Sequence, residues 1–283
     1  RIWQHHFGRG IVETPDNFGR QGMPPTHPAL LDWLANEFMR QNWSIKNLHR
    51  LIMTSTAYRQ SSKWTTRSPG DSIDPENKLL WRMNLRRLEA ETLRDSILSV
   101  SGKLDLTMGG PPMEGPLLAD GLERIQQNLN DPTFKDREAK AVGMFRRSIY
   151  VLARRYVPLT FLETFDAPLM QTNCNRRVNS VSPLQSLTLM NNDFVLDSSR
   201  FFADRVESLT YDGTSVNDTI EKAYLLALSR FPLKEELQIA KSHLDREKDL
   251  YLKSNASEEK AQRAALESFC HLLFLTNEFL YNN

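Results

Sequence analysis

From Ser182 to the C-terminus, apolar side chains recur at intervals of three and four positions, the spacing that places them on one face of an α-helix. One such run is Ile220, Ala223, Tyr224, Ala227 and Leu228. The spacing predicts four helices, over 192–209, 216–229, 233–252 and 257–281. So much helical periodicity in one stretch restricts the chain to a mainly α fold.

A well-marked helix start precedes these four helices. Ser182 is a capping residue, and Pro183 stands at the first helical position, where its missing N–H costs nothing. Gln185 stands three residues after the serine, which predicts a capping box.

The first hundred or so residues also carry helical patterns. Residues 1–10 are typical of a helix that ends at Gly8-Arg9-Gly10. Two further helices, with N-caps at Thr26 and Ser44, are expected to form a hairpin, and a longer helix is predicted over 86–101, with Gly102 at its C-terminal cap.

The middle of the chain is less regular. Gly109-Gly110-Pro111-Pro112 and Gly115-Pro116 prevent long elements within 102–143. Ile149, Tyr150 and Val151 are β-branched or aromatic, so residues 148–152 form the best candidate strand, and a short helix is expected over 158–165.

The predicted fold is therefore mainly α, with two packed helical lobes and at most a small β element near residues 146–152. Residues 1–101 would form an N-terminal lobe that continues into an upstream part of the protein. Residues 102–143 would be an irregular excursion, and residues 144–283 a C-terminal, mostly helical lobe.

Composition narrows the classes of function. The net charge of +1 and the sparse aromatic residues near the basic pairs argue against nucleic-acid binding. No run of apolar residues is long enough for a transmembrane helix. Cys174 and Cys270 lie in no zinc or haem-attachment motif, and their disulfide state is left open. Phosphate-binding loops, nucleophile elbows and metalloprotease motifs are absent.

Paired arginines are the strongest candidate binding residues. Residues 1–180 hold 25 Lys/Arg against 19 Asp/Glu, whereas residues 181–283 hold 11 against 16. Guanidinium groups bind carboxylate, sulfate and phosphate in two-pronged geometry. An anion pocket would form if the following converge: Arg146, Arg147, Arg154, Arg155, Arg176 and Arg177. Alternatively, they form internal ion pairs with Glu89, Glu91, Glu163 and Asp166.

Three residues are candidates for catalysis. Glu163 and Asp166, three positions apart on the predicted short helix, would share a face, as acid–base carboxylates do in glycoside cleavage. Cys174, beside basic residues, is a candidate nucleophile. Pairs of carboxylates are nevertheless common on ordinary helix surfaces.

Histidines supply the candidate metal ligands, His5, His6 and His27. Helical neighbours point about 100° apart, so His5 and His6 would not easily share one ion without another ligand. Packing beside aromatic side chains or capping of the helix end is the alternative. His49 is expected on a polar helix face, and His271 in the core.

Several stretches resemble the planctomycete-type domain of unknown function known as PSD one. They follow the family's order along nearly the whole chain: residues 1–10, 24–34, 48–60, 87–91, 109–111, 146–150, 165–168, 183–187 and 277–281. The resemblance implies an extracytoplasmic bacterial protein, periplasmic or secreted, in which this chain follows a cytochrome c-like domain. It brings no catalytic residues.

Three functions are consistent with these observations. The first is an accessory or interaction domain whose partners are the upstream domains of the same polypeptide. The second is an enzyme or binding module for acidic or sulfated glycans with an arginine-lined cleft. The third is a metal or redox accessory site completed by an upstream domain. No cofactor is encoded in this chain, and haem is expected only upstream.

Overall fold

A computed structural model describes residues 1–63, 69–113, 145–153, 159–168, 174, 177, 179–210, 215–255 and 257–282. Over these residues the protein is mainly α, as predicted. The helices are α1 Ile2–Phe7, α2 Pro28–Arg40, α3 Ile45–Met53, α4 Pro69–Ile73, α5 Ala90–Val100, α6 Thr160–Thr164, α7 Pro183–Asn191, α8 Asp193–Ser208, α9 Val216–Leu228, α10 Lys234–Lys253, α11 Glu258–Leu275 and α12 Asn277–Leu280. Two short strands, β1 Arg86–Arg87 and β2 Tyr281–Asn282, pair antiparallel.

The described chain divides into two compact units, Arg1–Arg87 with Tyr281–Asn283, and Leu88–Leu280. These bounds differ from the predicted lobes of 1–101 and 144–283. Helix α5 belongs to the second unit because its buried side chains, Leu93, Ile97 and Leu98, join that unit's core. The last two described residues belong to the first unit, where they pair with β1.

The first unit has a small core of Phe7, Leu48, Ile52 and Met83. Helix α3 begins at the predicted cap, since the Ser44 hydroxyl accepts the N–H of Asn47. Helix α2 instead begins one residue later than predicted, with His27 at the cap position and Pro28 as its first residue. The Thr26 hydroxyl is bonded to the carbonyl of Ile11, which explains why it does not cap the helix.

A tight turn joins α2 to α3. Asn42 and Trp43 both adopt left-handed backbone conformations, with φ of 53° and 58°. The Asn42 N–H donates to Met39 O, and the Trp43 N–H donates to Phe38 O. This is a Schellman motif, and the Phe38 and Trp43 rings make its apolar contact at 5.3 Å between centroids.

The second unit contains the larger core. Helices α8 and α11 bury aromatic side chains against each other, with the Phe202 and Phe274 ring centroids 5.5 Å apart. Helix α5 ends in a second Schellman motif, where Lys103 N–H donates to Leu98 O and Gly102 N–H to Ser99 O. Gly102 has φ of 74°, which confirms its predicted role in ending the helix.

Four other details of the sequence analysis were wrong. Residues Ser148–Tyr150 form a 3₁₀ turn, and only single bridges flank it, from Asp105 to Arg146 and from Met113 to Val151. Helix α5 starts at Ala90 rather than 86, because Arg86 and Arg87 pair with β2. The helix predicted over 257–281 breaks at Thr276, which has extended backbone with ψ of 144°.

The fourth concerns the capping box at α7. Helix α7 starts at Pro183 after Ser182, as predicted, but the Ser182 side chain makes no capping bond. The Gln185 side chain is buried and donates instead to the Thr164 carbonyl at 3.1 Å. The side-chain amide thus satisfies a carbonyl at the end of α6 rather than the start of its own helix.

A two-carboxylate clamp fixes the start of α10. The Arg230 guanidinium donates to Glu236 at 2.7 Å and to Glu278 at 2.6 Å, using both oxygens of each carboxylate. Glu236 also accepts the N–H of Leu233, which satisfies a helix N-terminal donor. Replacing Arg230 therefore leaves two facing carboxylates without their shared cation.

We expect Arg230→Ala to lower the free energy of unfolding by about 1–2 kcal/mol, because a bidentate network is stronger than an isolated surface pair. Urea unfolding followed by circular dichroism measures the change. The control is Arg246→Ala, whose side chain is 73% exposed and contacts Glu247 on its own helix; a change within about 0.5 kcal/mol is expected there. Equal effects of the two substitutions would contradict the clamp.

Candidate functional site

Several polar residues that could bind a ligand or take part in a reaction lie around α5 in the second unit. Arg94, on α5, is 1% exposed. Its Nη1 donates to the carbonyl of Arg146 at 3.0 Å and to the Ser148 hydroxyl at 3.3 Å. The Asp95 carboxylate accepts the Ser148 N–H and hydroxyl, both at 2.7 Å. Consecutive residues of one helix thus hold the segment 146–148.

The Arg146 guanidinium lies in a cradle of backbone carbonyls. It donates to Pro111 O at 3.0 Å, to Thr107 O at 3.2 Å and to Gly109 O. The guanidinium also lies over the Tyr150 ring, 3.8 Å from its centroid. Because carbonyls and an aromatic face already surround this cation, it is a structural element of the 107–111 loop.

Glycine conformation makes this cradle possible. Gly109 and Gly110 have φ of 81° and 82°, a left-handed region that residues with a Cβ rarely adopt. The Gly109 N–H donates to the Tyr150 hydroxyl at 2.8 Å, while its carbonyl faces Arg146. Gly109 therefore bonds through its N–H and its carbonyl to two residues of the segment 146–150, Tyr150 and Arg146.

Arg177 is bound by two glutamates that flank the start of α5. Its guanidinium donates to both oxygens of Glu91, at 2.6 and 2.9 Å, and lies 3.1 Å from a Glu89 oxygen. Burial alone would raise the pKa of Glu91, but the hydrogen bonds from Arg177, a backbone hydrogen bond and the charge of Arg177 together hold the pKa below its usual value. Arg177 thus has the internal ion pairs that the sequence allowed as the alternative to an anion pocket.

Of the other four candidate arginines, the structure describes only Arg147. The Arg147 side chain is 49% exposed, with its Nε 3.8 Å from an Asp95 oxygen. Arg154, Arg155 and Arg176 lie outside the described residues. An anion pocket that uses these arginines therefore stays a prediction.

The two candidate carboxylates do not share a helix face. Glu163 is exposed on α6, whereas Asp166 follows the end of that helix, with φ of 64°. The Asp166 carboxylate accepts the N–H and the hydroxyl of Ser180, each at 2.8 Å. It therefore closes a loop, so the expected placement of both carboxylates on one helix was wrong, and a catalytic role for Glu163 and Asp166 stays a prediction.

The two cysteines are not joined in a disulfide. Cys174 is exposed, and Cys270 is buried in the core. Burial raises the pKa of the Cys270 thiol. That thiol is therefore inert at neutral pH and acts as a small core side chain.

His6 and His49 share a contact that the sequence analysis did not predict. In the first unit, His6 Nε2 and His49 Nδ1 are 2.7 Å apart, whereas His5 is exposed and His27 bonds to the Thr26 hydroxyl. Within the described ranges, no three His, Cys, Asp or Glu side chains could together hold a metal ion. His271 is half-buried in the second unit, bonded to Leu189 O.

Sequence reasoning missed both Arg94 and the partner of His49. Arg94 lies between apolar helix positions, Leu93 and Ile97, and nothing in the local pattern distinguishes a buried guanidinium from an exposed one. His6 and His49 are 43 residues apart, so only the packing of α1 on α3 brings them together.

The site and fold define a mainly helical domain. Arg94, Arg146 and Arg177 donate their hydrogen bonds mainly to carbonyls and carboxylates of the same chain. A model of the PSD1 family, described as a protein of unknown function (DUF1553), matches residues 1–244, and the chain belongs to this family. No curated protein and no solved structure matches the chain. Over the ranges described above, no helix is long and apolar enough to cross a membrane.

We expect Arg94→Met to lower the free energy of unfolding by about 2–4 kcal/mol, because the Arg146 carbonyl and Ser148 hydroxyl lose a charged, buried donor. Thermal or urea unfolding measures it. Arg200→Met is the matched control, since that arginine is on α8 with its side chain 59% exposed. A cost for Arg94→Met no larger than that of the control would show that the buried arginine does not organise this region.

A second test uses the Glu91 carboxylate. Its folded-state pKa lies below the ordinary glutamate value of 4.5, so its contribution to stability is present above pH 4.5 and is lost as pH falls through the folded-state value. We expect Glu91→Gln to be less stable than the wild type at pH 7, with the difference shrinking toward pH 3. Urea midpoints measured across this range provide the check, and a difference independent of pH would exclude this ion pair as its cause.

Proposed function

We propose that this chain is a non-catalytic interaction domain of a larger secreted protein and that it docks onto a cytochrome c-like domain of the same polypeptide. The observation that carries the proposal is the exposure of two tryptophans, Trp33 on α2 at 51% and Trp43 in the turn after α2 at 65%. Exposed tryptophans are enriched at the centres of protein interfaces, where they supply most of the binding energy.

Other exposed apolar residues of α2 and α3 support this proposal, namely Leu31, Met39 and Ile45. A soluble surface has little reason to keep several large apolar side chains on two short helices unless they meet a partner. A domain in the same polypeptide is held at high effective concentration, so a modest apolar surface is enough for docking.

Three of the candidate polar side chains are already hydrogen-bonded within the chain, which favours an interaction domain over an enzyme. Arg146 is held by carbonyls, Arg177 by glutamates and Asp166 by Ser180. Each would have to break these bonds before meeting a substrate, which costs more than using a preorganised group. Binding of an acidic or sulfated glycan, and a metal or redox site completed upstream, stay predictions.

The test is a titration of this chain with the separately produced cytochrome c-like domain of the same precursor, followed by calorimetry. Trp33→Gln and Trp43→Asn remove the aromatic surface. Glutamine is a good helix former, and asparagine tolerates the left-handed conformation of residue 43. We expect each to weaken binding about thirtyfold, the loss typical of an interface hot spot.

The control is Ile239→Gln on α10, which removes an exposed apolar side chain in the second unit. It should leave the affinity within about twofold of the wild type. If the two domains do not bind each other, or if the control weakens binding as much as the tryptophan variants do, the proposed docking surface is wrong.

A further inference from the structure

Two histidines of the first unit share one hydrogen bond. His6 lies on α1 and His49 on α3, with 2.7 Å between His6 Nε2 and His49 Nδ1. Their ring centroids are 5.0 Å apart at an angle of 66°, and the Tyr58 ring meets His6 edge-on at 5.4 Å. The contact joins residues that are 43 positions apart, so it fastens one helix to the other.

The number of protons on this pair decides whether the bond exists. A hydrogen bond between two imidazole nitrogens needs one N–H and one lone pair. With neutral rings, or with a single positive charge on the donor, the bond is intact. When both rings are protonated, two N–H groups face each other across 2.7 Å, and the bond is replaced by repulsion.

Helix α1 depends on contacts of this kind because it has six residues, far fewer than an isolated helix needs. Phe7 is buried in the small core, its carbonyl accepts the Asn84 amide at 3.0 Å, and the His5 carbonyl accepts the Arg86 guanidinium at 2.5 Å. The histidine pair is the contact among these that changes with pH.

The charged groups around His6 all disfavour its protonation. Burial is the largest effect, followed by His49 on α3, Arg86 of β1 and His5 on α1 itself, and together they lower the pKa of His6 below 6.5. The unfolded chain therefore takes up protons more readily than the folded one below pH 6.5, and the stability of this region falls as the pH decreases.

We propose that the His6–His49 pair is a proton-operated latch that holds α1 on α3 when the rings share one hydrogen bond and releases α1 when both carry a proton. Release of α1 withdraws Phe7 from its contacts and exposes the apolar side chains of Leu48, Ile52 and Met83. This inference is independent of the proposed docking function.

Hydrogen exchange of the whole chain, followed by mass spectrometry, tests the latch. Protection of residues 1–10 is compared at pH 7.5 and pH 5.0 after correction for the intrinsic dependence of exchange on pH. We expect the wild type to lose more than about twofold in protection at pH 5.0, since acid populates the doubly protonated pair in which the bond is absent. Unchanged protection in the wild type would overturn the proposal.

Two variants remove the proton switch while keeping a bond. His49→Asn places an amide oxygen near the position of Nδ1, an acceptor at every pH, and His6→Gln places an amide near Nε2, which donates or accepts as needed. Both should keep the protection of residues 1–10 within about twofold between the two pH values. Acid-induced loss of protection that persists in both variants overturns the latch.

The matched control is His243→Gln. This histidine of α10 bonds to the Ser268 hydroxyl through Nε2, and burial lowers its pKa also. The substitution removes a titrating histidine from the second unit and keeps a donor at the same place. It should leave the acid response of residues 1–10 as large as in the wild type; abolition of that response would assign it to general acid destabilisation and overturn the latch.

Discussion

Arg94 is the residue on which the arrangement of the second unit depends most. Burying a guanidinium that is 1% exposed would cost several kcal/mol if its charge met no acceptor within the protein. Arg94 donates to the segment 146–148, and that segment in turn supplies Arg146, whose side chain gathers the carbonyls of 107–111. Two loops with little regular secondary structure are therefore ordered by successive charged hydrogen bonds that begin on one rigid helix.

This order of contacts explains why arginine-rich sequence need not indicate an anion site. Guanidinium groups have five donors and no acceptor, so they suit carbonyl-rich turns as well as they suit sulfate or phosphate. In this chain Arg146 meets carbonyls and Arg177 meets carboxylates. Composition and spacing identify such residues as important, but the partner that each one meets is a tertiary property.

The sequence predicted the helices far better than their contacts. Ser44 and Gly102 occupy cap positions that local chemistry dictates, and both act as predicted. The β-branched and aromatic run at 148–152 indicated a strand, yet Ser148 accepts a bond from Arg94 and donates one to Asp95, and these bonds hold the start of the run in a turn. The position of Gln185 predicted a capping box, whereas its amide bonds to the Thr164 carbonyl at the nearby end of α6. Local rules fail where a distant side chain offers a better bond.

The conformation of Trp43 connects the fold of the first unit to its proposed role. The Schellman motif at the end of α2 requires one left-handed residue, and Asn42 meets that requirement at little cost. Trp43 is also left-handed, which is unfavourable for a bulky residue by roughly 1–2 kcal/mol. The side chain recovers only part of this cost through its contact with Phe38, because most of its surface stays in water. Strain of this kind persists where surrounding structure enforces it, and it concentrates at functional positions. A strained, exposed tryptophan in the turn between α2 and α3 therefore supports the proposal that a partner covers it.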